Sequence, residues 1–215
     1  MIETRNLHMD YRSGHVTKHV LKGVDFTIKP RDRIGLLGRN GAGKSTLIRL
    51  IGGVEMPTKG KVIRRMTCSW PLGFSGGFQG SLTGYDNARF ISRIYDKNYS
   101  EMKEFVEEFT ELGSNLKMPV KIYSSGMRAR LAFALSLAIE FECYLIDEVI
   151  MVGDKSFQDK CKEEFFEKRP DRALLLASHS LETVQQYCNR AIVLKDGRAT
   201  TYEDVSEAVA VYKKL

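Results

Sequence analysis

The 215-residue sequence lacks any apolar run long enough to cross a bilayer. Its longest such stretch, LAFALSLAIEF at 131–141, is followed by Glu142 and is well short of the roughly 20 residues that a membrane-spanning helix needs. The opening MIETRNLHMDYRSGH carries charges where a secretory signal peptide has its apolar run. We therefore expect this chain to stay in the cytoplasm.

Cysteine is scarce, and its four positions, 68, 143, 161 and 188, form neither a C-x-x-C pair nor a zinc-ligand spacing. We expect free, buried or partly buried thiols and no structural metal site. The formal net charge is +6, but Lys and Arg are scattered along the chain. A solvated surface explains most of this charge. A preference for acidic lipid headgroups or another anionic partner stays open, and nucleic-acid binding is not required.

The order of apolar patterns predicts an α/β fold. Short β-type runs fill the first third of the chain, and three- and four-residue spacing typical of helices dominates from about 81 to 140. After residue 142, apolar strands alternate with helix-type segments, which is typical of a buried parallel sheet. We predict a parallel-sheet core with an N-terminal antiparallel β portion and an inserted helical lobe. Asp196-Gly197 predicts a hairpin turn.

GLLGRNGAGKSTLIRL at 35–50 is the most informative segment. Gly38, Gly43, Lys44 and Ser45 fit the pattern G-x-x-x-x-G-K-[ST], with a strand-like run before it and an amphipathic helix after it. In such a loop, backbone N–H groups and the positive end of the helix dipole face an anion. Lys44 can reach the β and γ phosphates of a nucleoside triphosphate, and the Ser45 hydroxyl can bind Mg²⁺. The alternative is an ordinary glycine-rich turn.

Two later apolar strands end in polar groups. CYLIDE places Asp147 and Glu148 after a buried run, and LLLASH does the same with His179. Because ligands bind at the carboxyl edge of open α/β sheets, we expect Asp147 to hold Mg²⁺, Glu148 to polarise an attacking water, and His179 to donate to the γ-phosphate. The alternatives are an acid pair at a helix N-terminus and a hydrogen-bonded core histidine.

A second anion-directed segment lies far from the first in sequence. Ser124, Ser125 and Gly126 directly precede a predicted helix, so they offer a hydroxyl and N–H groups at the positive end of its dipole. Helix capping alone is the alternative. One chain therefore carries two helix ends directed at phosphate.

GRNGAGKST, YSSGMRARLAFALSLA, CYLIDE and ASHS follow one another in an order that resembles the ATP-binding subunit of an ABC transporter over essentially the whole chain. The resemblance implies a single ABC ATP-binding domain over 1–215, with a helical subdomain at about 81–140. It also implies ATP and Mg²⁺ as cofactors and a head-to-tail homodimer. In that dimer each ATP lies between the phosphate loop of one copy and the signature segment of the other.

The resemblance also assigns roles by position. It implies that Tyr11 stacks on adenine, that Gln79 senses Mg²⁺ and contacts the membrane subunit, that Asp154 makes a cross-dimer contact, and that His179 is the switch histidine. Tyr11 could otherwise be a surface aromatic and Gln79 a loop amide. The phosphate-loop residues are Gly38, Arg39, Asn40, Gly41, Ala42, Gly43, Lys44, Ser45 and Thr46. The signature residues are Tyr123, Ser124, Ser125, Gly126 and Met127, which depart from the common L-S-G-G-Q.

These departures, together with SWPLGFSGGFQGSLTG around Gln79 and the segment VGD, are similar to the capsular polysaccharide export ATPases. That subfamily implies export of a lipid-linked polymer at the cytoplasmic side of the inner membrane. The implied partners are a six-helix permease, a periplasmic adaptor and an outer-membrane exporter, with no nucleic acid. The alternatives are an O-antigen, teichoic acid or drug exporter, a soluble nucleic-acid-associated ABC ATPase, and a nucleotide kinase.

Overall fold

A computed structural model describes residues 1–72, 79–147 and 154–215. The described residues of 1–71, 142–148 and 169–215 form one compact unit, the sheet unit. Those of 72–141 and 149–168 form a second, the helical unit, which thus includes a second chain segment beyond the expected 81–140. Within these ranges, every helix is too short or too polar to cross a membrane.

A three-stranded antiparallel sheet opens the chain. β1 (Ile2–Ser13) and β2 (Val16–Ile28) are joined at Gly14, whose φ of 57° is in the left-handed region that glycine adopts most readily. Apolar and polar residues alternate in the N-terminal part of β1 and the C-terminal part of β2, so one face of the sheet is buried there. β4 (Lys59–Arg64) pairs with the other edge of β1.

The second sheet has six strands and forms the centre of the sheet unit. In spatial order the strands are β5 (Cys68–Leu72), β6 (Cys143–Asp147), β7 (Ala173–Ala177), β3 (Arg33–Leu37), β8 (Arg190–Lys195) and β9 (Arg198–Tyr202). β3 pairs in parallel with β7 and β8, and β6 pairs in parallel with β7. The apolar residues of these four strands are buried, as is typical of a parallel sheet that is covered on both faces.

The turn between β8 and β9 is the predicted hairpin. The two strands are antiparallel, with Lys195 opposite Arg198. Asp196 and Gly197 have φ values of 51° and 80°, the positive pair that a two-residue hairpin of type I′ requires. Three helices complete the sheet unit: α1 (Lys44–Gly52), α6 (Leu181–Tyr187) and α7 (Val205–Tyr212).

The helical unit packs around one apolar helix, α4 (Ser125–Ile139). Its apolar residues occur all around the helix, and nine of its fifteen residues are buried, as expected for a helix enclosed by neighbours. Phe133 makes edge-to-face contacts with Phe157 and Phe165. The other helices are α2 (Gly84–Ile94), α3 (Tyr99–Thr110) and α5 (Lys155–Lys162), and a π-helical turn follows at Glu163–Glu167.

The four cysteines are free thiols, as expected. Cys143, Cys161 and Cys188 are buried and Cys68 is half-buried. Burial raises the pKa of Cys161 and of Cys188 to about 12, because the thiolate would lose its hydration. These two thiols are therefore un-ionised at neutral pH and chemically inert.

Helix α2 begins with a reciprocal cap. The Thr83 hydroxyl accepts from the Asp86 backbone N–H at 3.1 Å, and the Asp86 carboxylate accepts from the Thr83 backbone N–H at 3.3 Å. The Thr83 hydroxyl also donates to this carboxylate, which lowers the pKa of Asp86. The cap satisfies N–H groups that have no partner within the helix.

We expect Thr83→Ala to lower the free energy of unfolding by about 1 kcal/mol, because it removes one side of this cap. Urea denaturation followed by circular dichroism measures the effect. Ser100→Ala, in the first turn of α3, is the matched control, since only the backbone N–H of Ser100 bonds to the cap residue Asn98. Equal midpoints for the two variants would contradict the role of the cap.

Candidate functional site

The glycine-rich loop joins β3 to α1, as the pattern predicts. Gly43 caps α1 with φ 107°, and its carbonyl oxygen accepts from the Leu47 N–H at 2.9 Å. A Cβ on Gly43 would lie 2.9 Å from a Val20 methyl carbon, and one on Gly38 would lie 2.7 Å from the Leu194 carbonyl oxygen. Both positions therefore exclude larger residues, and Gly43 also needs its positive φ.

Lys44 lies within the loop that precedes it. Its side chain is buried, and Nζ donates to the Gly38 carbonyl oxygen at 2.7 Å and more weakly to the Arg39 carbonyl oxygen at 3.5 Å. The ammonium group is thus held inside the curve of the loop. A phosphate entering this curve would meet a fixed cation together with the first N–H groups of α1.

A cleft of about 460 Å³ opens over this loop, within the sheet unit. Its volume lies within the range of about 300–1,000 Å³ that is typical of small-molecule sites. It brings together three predicted parts of the site that lie far apart in sequence: Tyr11, the phosphate loop and His179. Its lining comprises Tyr11, Lys18, Val20, Asn40, Gly41, Gly43, Lys44, Ser45, Thr46 and His179.

Tyr11 is held at the mouth of this cleft by a charged pair. Its hydroxyl donates to the Glu55 carboxylate at 2.5 Å and accepts from Arg49 at 3.2 Å. Arg49 and Glu55 also pair directly, at 2.6 Å. These contacts fix the ring while leaving 37% of the residue exposed. Sequence reasoning missed Arg49, Glu55 and the cleft-lining Lys18, because no local motif marks them.

Three neighbouring parallel strands end at one edge beside the cleft. Ala177 of β7 lies opposite both Asp147 of β6 and Leu36 of β3, so the three strands end at the same level. Asp147 is half-buried at this edge, and His179 follows β7 in an exposed position. His179 is therefore not a core histidine. Glu148 lies outside the described residues.

The chemistry of these groups suits a magnesium nucleotide. Mg²⁺ prefers oxygen donors, and the Ser45 hydroxyl and the Asp147 carboxylate supply them at this edge. Within the described ranges, no group of three or more His, Cys, Asp and Glu side chains could hold a metal by itself. Such a site therefore fits an ion that takes further ligands from phosphate and water.

The remaining predicted residues lie in the helical unit. Ser124 caps α4, and its hydroxyl oxygen accepts from the Met127 N–H at 3.2 Å. Ser124 and Ser125 are exposed, whereas Tyr123 is buried and donates to the Asn115 carbonyl oxygen at 2.7 Å. The exposed N-terminus of α4 thus presents two serines and the backbone N–H groups of Ser125 and Gly126, which precede the capped N–H of Met127.

Gln79 and Asp154 have partners of their own in the helical unit. Asn87 accepts from the Gln79 N–H at 3.0 Å and donates to its carbonyl oxygen at 3.2 Å, which fixes the backbone and leaves Gln79 exposed. Asp154 caps α5 and pairs with Arg130 at 2.6 Å. Its pKa is lowered by the hydrogen bond from the Phe157 N–H and by the nearby charge of Arg130.

Comparison with known proteins identifies the family. The sequence model described as ABC transporter matches residues 21–151, more than half of the chain. The chain belongs to the ABC transporter family. A full-length relative, the capsule polysaccharide export ATP-binding protein CtrD of Neisseria meningitidis serogroup B, is 56% identical over 100% of both chains. The polysialic acid transport ATP-binding protein KpsT of Escherichia coli is 47% identical over 100% of this chain and 99% of its own.

Other ABC relatives are more distant. A teichoic acids export ATP-binding protein, TagH of Bacillus cereus, is 37% identical over 92% of this chain but only 37% of its own. Among solved structures, a dimeric ATP-binding cassette bound to ADP and Pi matches with a TM-score of 0.78, over 95% of this chain and 99% of that chain. Its identity is 20%, so this match supports the ABC ATPase fold alone.

We expect Tyr11→Ala to raise the Kd for ATP about tenfold, because a base stacked on an aromatic ring gains about 1–3 kcal/mol. Isothermal titration with a slowly hydrolysed ATP analogue measures this value. Tyr11→Phe is the matched control. It keeps the ring but loses the bonds to Glu55 and Arg49, and we expect its Kd to stay within about threefold of wild type. Equal losses in both variants would contradict stacking.

Proposed function

We propose that this chain is the ATP-hydrolysing subunit of an ABC exporter that moves lipid-linked capsular polysaccharide across the bacterial inner membrane. The main support for ATPase activity is the shared edge of β6, β7 and β3, which brings Asp147, His179 and the phosphate loop into one region. The full-length similarity to CtrD supports capsular polysaccharide as the cargo.

In this proposal, the phosphate loop and Lys44 bind the triphosphate and Tyr11 stacks on the adenine. Ser45 and Asp147 would hold Mg²⁺. When bound, Mg²⁺ neutralises charge on the β and γ phosphates. His179 donates a hydrogen bond to the γ-phosphate, and Glu148 accepts the proton of the attacking water.

The exposed N-terminus of α4 supports a composite site in a head-to-tail homodimer. Ser124, Ser125 and the first N–H groups of the helix are directed at the γ-phosphate bound by a second copy, and Asp154 contacts that copy. ATP then acts as a differential ligand, because it favours the closed dimer only if it makes contacts there that the open state lacks. Hydrolysis removes those contacts and reopens the dimer.

The work of this cycle is delivered to a membrane complex. We propose that the region around Gln79 contacts a six-helix permease, so that the chain sits on the cytoplasmic side of the inner membrane as a peripheral subunit. A periplasmic adaptor and an outer-membrane exporter complete the route, and no nucleic acid takes part. Teichoic acid and O-antigen export are second candidates, and the lower identity of relatives with those names disfavours them.

We expect Glu148→Gln to bind ATP with normal affinity but to hydrolyse it about a hundredfold more slowly or worse. The reason is that a general base typically accelerates a reaction roughly 10²–10⁴-fold. The variant should accumulate as an ATP-bound dimer, which gel filtration detects. Phosphate release at the wild-type rate would remove Glu148 as the base.

The same variant serves as the control for cargo. In a bacterium that lacks its own capsule-export ATP-binding subunit but keeps the permease, the wild-type chain should restore surface capsule and Glu148→Gln should not. Rescue of a teichoic-acid export mutant instead of the capsule mutant would contradict the proposed cargo while leaving the ATPase intact.

A further inference from the structure

A second cleft lies beside the nucleotide cleft in the sheet unit. Its volume is about 520 Å³, and it borders the outer side of the phosphate loop at Arg39–Ala42. Four cationic side chains line it, from β2, the loop and the end of β8. They are Lys18, Lys22, Arg39 and Lys195.

The charge of this cleft is largely uncompensated. Within the part of the chain that the structure describes, Lys18, Lys22 and Lys195 form no salt bridge, whereas Arg39 donates to an oxygen of the Leu215 carboxylate at 3.1 Å. Asp196 and this carboxylate are the anionic groups among the described lining residues, against four cations. A concave surface with such an excess of one sign concentrates the field and attracts anions.

The walls of the cleft are built into the fold. The Lys22 N–H donates to the Gly197 carbonyl oxygen at 2.7 Å, which ties β2 to the β8-β9 turn. Gly197 has φ 80°, and a Cβ there would lie 2.7 Å from the Val20 carbonyl oxygen, so the approach depends on glycine. The cleft lies beyond the carboxyl ends of β3 and β8, where open α/β sheets bind ligands.

We propose that this basic cleft binds a small phosphate-bearing anion, separately from the nucleotide. Four cations suit a ligand with more than one negative charge. No Phe, Tyr or Trp occurs among the described lining residues, and the ring of the lining residue His19 is held by Asp10, 2.7 Å from its Nδ1. The ligand is therefore an inorganic or non-aromatic phosphate.

Binding in the two clefts is coupled because they share walls. Lys18, Val20, Asn40 and Gly41 line both. Anions in neighbouring clefts repel each other and compete for the charge of Lys18, so each ligand weakens the binding of the other by the same factor. The cleft thereby provides a way for phosphate-bearing solutes to regulate nucleotide binding.

The test is titration of inorganic pyrophosphate into the full chain. The nucleotide cleft is first saturated with Mg²⁺-free ADP, so that the phosphate loop cannot bind the probe. We expect saturable binding of pyrophosphate to the wild-type chain. Its affinity should fall about tenfold in Lys22→Ala/Lys195→Ala, since each lysine supplies a charged contact. ADP affinity measured without pyrophosphate should stay within about twofold, because neither lysine lines the nucleotide cleft.

The matched control is Lys29→Ala/Lys61→Ala, which removes two exposed lysines outside both clefts. Absence of saturable pyrophosphate binding, or equal losses in the two double variants, would overturn the proposal. A third outcome would also overturn it: the chain binds no pyrophosphate but self-associates in a salt-sensitive way, and only Lys22→Ala/Lys195→Ala abolishes this self-association. The occupant of the cleft would then be an acidic segment of a second copy. Absence of ADP binding to the wild-type chain would contradict the proposed nucleotide site and not the basic cleft.

Discussion

The parallel pairing of β6, β7 and β3 is the constraint on which the rest of the site depends. Parallel strands in register end at the same level, so Asp147, His179 and the phosphate loop meet although they come from three distant parts of the sequence. A shift of one residue in either pairing would disrupt the close packing of the buried apolar side chains on both faces of the sheet. The register therefore fixes the positions of the polar groups.

A second constraint is that the anion-directed groups are divided between two compact units. The sheet unit holds the nucleotide cleft, and the helical unit presents the exposed start of α4 at Ser124 and Ser125. Under the proposed function, a second copy supplies the missing half of each site. Binding energy from the γ-phosphate then drives closure only while both halves contact it, which makes hydrolysis the step that releases the dimer.

Local chemistry explains which features could be predicted from sequence. The phosphate loop and the Asp196-Gly197 hairpin follow from backbone requirements of particular glycines, so short motifs identify them. Arg49 and Glu55, which hold the Tyr11 hydroxyl, lie 38 and 44 positions after Tyr11 in the sequence, and no short pattern encodes these contacts. The basic cleft likewise combines isolated cations that only the fold brings together. No short pattern links α5 to α4 either, because they are joined by contacts between distant residues, such as that of Phe133 with Phe157.

In the proposed ATPase, each site is shared by two copies of the chain, and mixing two defective variants tests this sharing. Lys44→Ala damages the phosphate loop, and Ser125→Arg blocks the exposed start of α4 without removing its Ser124 cap. Each variant alone should have almost no ATPase activity. Mixed subunits should recover up to about a quarter of wild-type turnover, since about half of randomly paired dimers are mixed and each holds one intact site of two. No recovery above the sum of the two variants would contradict the shared site.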